Sequence, residues 1–249
     1  MQFTKITVFE KKMTDSQTEF KFNTGRWKSV AYGNGLFVAV PNKVLAMTSQ
    51  DGNSWQTLES NHNYHSVAFG KGLFVALVSM SGSDNWGPDN WCHSVMTSSD
   101  GTVWTMQVSP HRLWNSLTYG NNCFVAVGDQ AVMTSPDGFT WTMKPSYDFW
   151  SSVAYGNGLF VAVASNQAVM TSTDGISWTV ITTTEMTNPE GVISDVQNEA
   201  IGHNWDSVTY GSCFVAVSIS DGAVMTSPDG TIWRLGSAEF QSSFWQSIM

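Results

Sequence analysis

The feature that most limits what this chain can fold into is a repeat. WKSVAYGNGLFVAV (27–40), YHSVAFGKGLFVAL (64–77), WNSLTYGNNCFVAV (114–127), WSSVAYGNGLFVAV (150–163) and WDSVTYGSCFVAV (205–217) are variants of one segment. Each is followed by a second fixed segment: TSQDGNSW (48–55), TSSDGTVW (97–104), TSPDGFTW (134–141), TSTDGISW (171–178) and TSPDGTIW (226–233). Where nothing interrupts, the period is about 36 residues, as from Trp114 to Trp150. A fixed period of that length signals a solenoid, a propeller or an array, in which each unit covers the apolar face of its neighbour.

Each copy holds three short apolar runs and a brief fourth after the second tryptophan, separated by Gly, Asn, Asp or Ser turns. No stretch is long enough for an ordinary helix, and four short antiparallel strands make one propeller blade. The FVAV run is apolar without alternation, as expected of a strand covered on both faces. The first strand sets Trp27, Ser29 and Ala31 on one side and Val30 and Tyr32 on the other, so small residues oppose large ones between neighbouring blades.

The two ends of the chain supply the blade count. FWQSIM places Trp245, Ser247 and Ile248 in the slots of Trp27, Ser29 and Val30, and residues 2–22 align with the later strands of a copy. The sequence therefore predicts an all-β, six-bladed β-propeller of four-stranded antiparallel blades. Its ring is closed by N-terminal strands from residues 2–22 plus a C-terminal strand from 244–249, and residues 1–249 form a single domain. Such closure covers the sheet edges that an open array leaves bare.

Bulk composition narrows the partners. The chain is 42% apolar but only 12% charged, with 12 Trp and 21 Gly, which suits a turn-rich, aromatic β protein. A formal net charge of −9, with 11 Lys and Arg spread along the chain, argues against nucleic acid and against anionic membrane surfaces. The N-terminus lacks the apolar core of a secretory signal and no run approaches the ~20 apolar residues of a membrane span, so the expected state is soluble, intracellular or particle-associated. Cys123 and Cys213 fill the slot of Leu36, Leu73 and Leu159, and Cys92 lies in an insertion. An odd count without metal-ligand spacing argues against a disulfide framework or a zinc site, and no cofactor is expected.

The D-G-x-x-W segments resemble the Asp box, or BNR repeat, of sialidases and of propellers similar to the photosystem II assembly factor family. The version here is one residue shorter between aspartate and tryptophan than the usual S-x-D-x-G-x-x-W. In that family the box is structural, and the resemblance implies the same for Asp51, Asp100, Asp137, Asp174 and Asp229. Elementary chemistry agrees: a short carboxylate at a turn accepts backbone N–H groups, glycine tolerates positive φ, and tryptophan packs into the blade. Sialidase activity needs an arginine triad, an F-R-I-P segment and a Tyr/Glu pair; the arginines here, Arg26, Arg112 and Arg234, occupy different repeat slots and the segment is absent. With no nucleophile elbow, phosphate loop or H-E-x-x-H motif either, the chain is expected not to be an enzyme.

Function is expected at one end of the ring. In a four-stranded meander the first and third turns share one end, and here those turns, YGNG and the Asp box, scarcely vary. The variable connections share the other end, and the insertions 79–93 and 181–204 are expected on that same face. Variable loops on a rigid scaffold are where binding usually resides. Trp86 and Trp91 are the two tryptophans outside the repeat pattern; beside Asp84 and Asp89 they offer a flat apolar platform fringed with polar groups, or else two rings that pin a long loop. The remaining ligand-binding candidates are His93, Arg112, His203 and Asp206. The slot after each opening aromatic reads Lys28, His65, Asn115, Ser151, Asp206 and Gln246, a varied polar ring at the channel mouth that either reads a ligand or reflects relaxed constraint beside water.

These residues suggest a non-catalytic, lectin-like module that binds carbohydrate through the variable face. The alternative is a structural or assembly scaffold that docks on a larger complex, since short-box arrays are also similar to uncharacterised proteins of large DNA viruses and phages. The expected partner is thus a glycan or a protein. Glu185, Glu190, Asp195 and Glu199 in the second insertion raise a third reading, a glycoside hydrolase, or else form a solvated acidic loop.

Overall fold

In the computed structural model, described for residues 27–41, 46–58, 62–80, 93–166, 168–181, 186–187 and 203–236, the chain is a β-propeller. The first sheet contains β1 (Trp27–Gly33), β2 (Leu36–Pro41), β3 (Ala46–Ser49) and β4 (Gln56–Leu58). The second contains β5 (His62–Gly70), β6 (Leu73–Met80), β7 (His93–Ser98) and β8 (Thr105–Arg112). The third is a run of β9 (Trp114–Gly120), β10 (Cys123–Ser135), β11 (Thr142–Gly156), β12 (Leu159–Ala164), β13 (Val169–Ser172) and β14 (Thr179–Ile181). The fourth joins β15 (Met186–Thr187) to β16 (Ser207–Tyr210), β17 (Phe214–Val217), β18 (Val224–Ser227) and β19 (Trp233–Leu235).

The expected six blades are not found. The described residues form four sheets in a ring, of four, four, six and five strands. The physical reason lies in β10 and β11, which run through positions where the other repeats break. The first half of β10 pairs with β9 and its second half with β11, while the second half of β11 pairs with β12. A bulge at Asp129–Ala131, with Gln130 at φ +53°, lets β10 bend without losing the ladder, and Asp129 stays paired with Phe149. The third and fourth repeats are thereby fused into one sheet. The proposed closing strands, residues 2–22 and 244–249, lie outside the described residues.

Hairpin chemistry sets the strand register. Asn34 and Gly35 have φ of +50° and +75°, and Lys71–Gly72 and Asn157–Gly158 share that pattern, the two positive φ values of a type I′ turn that matches strand twist. The register from Gly33↔Leu36 to Ser29↔Val40 then brings the FVAV run of β2 against the whole of β1. In the fifth copy the turn is one residue shorter, and Gly211 N–H instead donates to Cys213 O at 3.0 Å.

The core lies between repeats. Val75, Leu77 and Val95 of the second sheet pack with Trp114, Leu117 and Phe124 of the third, and equivalent clusters join the other neighbours. Phe74, Phe124, Phe160 and Phe214 are fully buried, as are the opening tryptophans Trp114, Trp150 and Trp205. Burying one such side chain contributes ~1.5–3 kcal/mol.

Three contacts recur between neighbours. Ser29 Oγ accepts Val67 N–H at 3.2 Å, Ser66 Oγ accepts Leu117 N–H at 3.1 Å, Ser116 Oγ accepts Val153 N–H at 3.2 Å, and Ser152 Oγ accepts Val208 N–H at 3.1 Å. Phe69, Tyr119, Tyr155 and Tyr210 each lay a ring on a glycine of the preceding repeat, namely Gly33, Gly70, Gly120 and Gly156. Side chains of the hairpin turns reach the carbonyl that precedes the next box aspartate: Asn34 Nδ2 to Ser99 O at 3.4 Å, Lys71 Nζ to Pro136 O at 2.8 Å and Asn121 Nδ2 to Thr173 O at 2.9 Å.

Candidate functional site

Antiparallel pairing gives the ring two chemically different ends. One carries the hairpin turns and the five Asp turns, which are built alike. At Asp137 the Oδ1 atom accepts Phe139 N–H at 2.8 Å and Thr140 N–H at 2.7 Å, and also the Ser135 hydroxyl at 3.0 Å. Ser135 Oγ accepts Gly138 N–H at 2.8 Å, and Trp141 Nε1–H donates to Gly138 O at 3.1 Å. The turn glycine also sits close to the preceding repeat: a Cβ on Gly138, whose φ is +82°, would lie 2.8 Å from Leu73 Cδ2.

The same backbone donors depress the carboxyl groups. N–H bonds from Ser54 and Asn53 hold Asp51 at about 2. Those from Val103 and Thr102 hold Asp100 at about 2, and those from Ser177 and Ile176 do so for Asp174. At Asp229 burial pushes upward, yet the N–H bonds of Ile232 and Thr231 bring it to about 2. Asp137 is lowered too, chiefly by Thr140 N–H. Every box carboxylate is thus engaged with its own turn.

The other end is where the first strands begin and where the variable connections lie. The first strands of the five repeats line an axial cavity of about 1040 Å³ that extends from Lys28 and Asp206 at this end to Tyr155 and Tyr210 near the hairpin turns. Lys28, His65, Asn115, Ser151 and Asp206, which share one repeat slot, all line it. Three are held in place: His65 Nε2 is hydrogen-bonded to Ser79 Oγ at 3.1 Å, Asn115 Nδ2–H donates to Trp150 O at 2.8 Å, and Asp206 Oδ2 accepts Ile219 N–H at 2.6 Å.

Of the ligand-binding candidates among the described residues, Asp206 lines this cavity, together with the other described members of the polar ring. His203 lies three residues earlier; its Nδ1 stands 2.5 Å from Asp221 Oδ2 and its ring centroid 5.6 Å from that of Trp205. Burial raises the Asp221 carboxyl, but bonds from Ser218, His203 and Ala223 outweigh it and leave the group lowered. His93 and Arg112 are Cα partners across β7 and β8, at the variable end of the second sheet, and Arg112 is not among the residues that line the cavity. Trp86, Trp91, Asp84 and Asp89 lie outside the described residues, as do Gln246 and the acidic side chains Glu185, Glu190, Asp195 and Glu199. From the second insertion, β15 is described, pairing in parallel with Trp233 and Arg234 of β19 on the outer edge of the fourth sheet.

Sequence reasoning missed the serine latches and the turn-to-carbonyl ties. The signal was present in the unvarying serine two places after each opening aromatic. Among the described residues no three His, Cys, Asp or Glu side chains come together to hold a metal ion, and no helix is long and apolar enough to cross a membrane.

The geometry defines a β-propeller with one fastening end that varies little between repeats and one open, polar end. No family model and no curated protein matches the sequence. Solved structures do match in fold. A virginiamycin B lyase from Staphylococcus aureus superposes with a TM-score of 0.66 at 9% identity, over 90% of this chain and 73% of that one. YCF48 bound to D1 peptide gives a TM-score of 0.58 at 14% identity, over 86% of this chain and 69% of that one. A chain of the nidogen/laminin complex gives 0.54 at 10% identity, over 80% and 74%. At such identities the likeness is one of fold.

Proposed function

We propose that this chain is a non-catalytic binding propeller that takes its ligand at the variable end of the ring, with glycan as the ligand class. The observation that carries the reading is the axial cavity, where one repeat slot supplies five different polar side chains, Lys28, His65, Asn115, Ser151 and Asp206. Three of the five are already oriented by hydrogen bonds, which reduces the ordering cost when a ligand arrives. Trp86 and Trp91, beside Asp84 and Asp89, are assigned to the sugar platform at the same end. His93, Arg112 and His203 are assigned to its polar surround. The five box aspartates are assigned to holding turns, because each is occupied by backbone N–H groups of its own turn.

A glycan array tests this directly. Binding should appear with the intact chain and disappear in Trp86→Ala or Trp91→Ala while circular dichroism is unchanged. A silent broad array removes the glycan reading.

A second reading, a scaffold that docks on protein, is favoured by a separate observation. Val103, Phe139, Ile176 and Ile232 are 47–70% exposed, one on each of four Asp turns, so the opposite end carries a ring of apolar side chains. Two of the structural neighbours are described in complexes with protein or peptide. Crosslinking in the native cell extract discriminates: adducts through the Asp-turn end support docking, and adducts confined to the variable end count against it.

A further inference from the structure

The axial cavity holds a charge arrangement that a neutral sugar does not use. Lys28 enters it from the first sheet and Asp206 from the fourth. Among the described residues neither has an ion-pair partner, so the two do not neutralise each other across the space. Asp206 is fixed by Ile219 N–H on Oδ2 at 2.6 Å and by its own N–H on Val217 O at 2.9 Å, which leaves Oδ1 facing no partner among the described residues. A cation and a carboxylate that line one recess without meeting each other are complementary to a ligand with both charges reversed. Acceptors already held in place bind such a ligand at a low ordering cost.

We propose that the axial cavity binds a small zwitterion, its carboxylate against Lys28 and its ammonium against Oδ1 of Asp206. The inference rests on the reading that this end of the ring is the binding end. It uses none of the tryptophan-bearing insertion.

Titration calorimetry of the whole chain with glycine, triglycine and pentaglycine tests it. The three share their end groups and differ in charge spacing, so the series separates a free amino acid from a peptide as the source. At least one should bind saturably, and N-acetylation or C-terminal amidation of that ligand should weaken binding about tenfold or more, the effect of losing one charged hydrogen bond. Lys28→Met should erase the discrimination against the amide alone. Asp206→Asn, which keeps an oxygen for Ile219 N–H, should erase the discrimination against the acetyl form alone. Absence of saturable binding throughout the series, or equal binding of free and blocked ligands, overturns the proposal. A chain that binds glycan but none of these peptides loses this inference only, whereas peptide binding beside a silent array removes the glycan reading only.

Discussion

The ring of Tyr155 lies directly on Gly120: a Cβ built on that glycine would stand 2.0 Å from Tyr155 Cγ. The same relation joins Tyr119 to Gly70 and Tyr210 to Gly156, so the spacing between repeats is set by an aromatic ring in contact with bare backbone. The glycine of the Y-G pair is therefore required for clearance, at the last position of the strand.

Gly120→Ala should destabilise the chain by about 1–3 kcal/mol or more, because the ring and its backbone neighbour are both hemmed in. Thermal unfolding measures it, at roughly 2–4 °C per kcal/mol for a chain of this size. Combining it with Tyr155→Leu should cost less than the sum of the single changes, since the collision partner is then gone. An unchanged melting temperature in Gly120→Ala would show that the contact does not set the spacing.

The serine latches make a second prediction. Ser116→Ala leaves Val153 N–H, which belongs to a residue only 5% exposed, without its acceptor. The expected loss is about 1–3 kcal/mol of unfolding free energy, read from a lowered urea midpoint at unchanged slope. Ser151→Ala, one place from a latch and directed to the cavity, should stay within about 0.5 kcal/mol of the parent. Equal effects of the two would refute a specific role for the latch.

The opening tryptophans differ in one atom's fate. Trp150 Nε1–H donates to Ser146 Oγ at 2.9 Å and Trp114 Nε1–H to Pro110 O at 2.9 Å, while Trp205 Nε1, equally buried, has no partner among the described residues. Trp→Phe removes similar volume at each site. Only at Trp150 and Trp114 does it also break a hydrogen bond, so Trp205→Phe should be the mildest of the three by about 1 kcal/mol. Parallel denaturation of the three variants decides it.

Acid should loosen the Asp turns together. Asp51, Asp100, Asp174 and Asp229 sit at about 2 in the folded chain against an ordinary value of 3.8. The unfolded chain therefore takes up protons first as pH falls, so their stabilisation is complete above the ordinary carboxylate range and is lost between about pH 4 and pH 2. Melting temperature followed across that window should drop, with a shallower drop in Asp174→Asn, which has one such proton fewer to bind. A flat profile from pH 5 to pH 2 would contradict the role of these carboxylates.

Much of this molecule follows from short-range chemistry that a sequence displays. The hairpin at Asn34–Gly35, the engagement of Asp137 with the two N–H groups that follow it, and the burial of the FVAV run in β12 each depend on residues within one repeat. Repetition then makes the propeller the natural way for each unit to cover the next. The polar ring from Lys28 to Asp206 was visible as a varied slot between fixed neighbours, but that it lines one cavity, with Asn115 and Asp206 already oriented, depends on five first strands meeting around an axis.

The number of sheets was decided only in three dimensions. The repeat pattern divides β10 and β11 into two short strands each, yet the ladder continues through both and joins two repeats in one sheet. β15 likewise adds itself to β19 from an insertion that has no strand pattern of its own. Local sequence determines which segments can be strands and how each turn closes. Which edge a strand finally pairs with is set by backbone hydrogen bonds between distant segments, and those groups are the same in every residue except proline, so side-chain patterns carry little record of the choice.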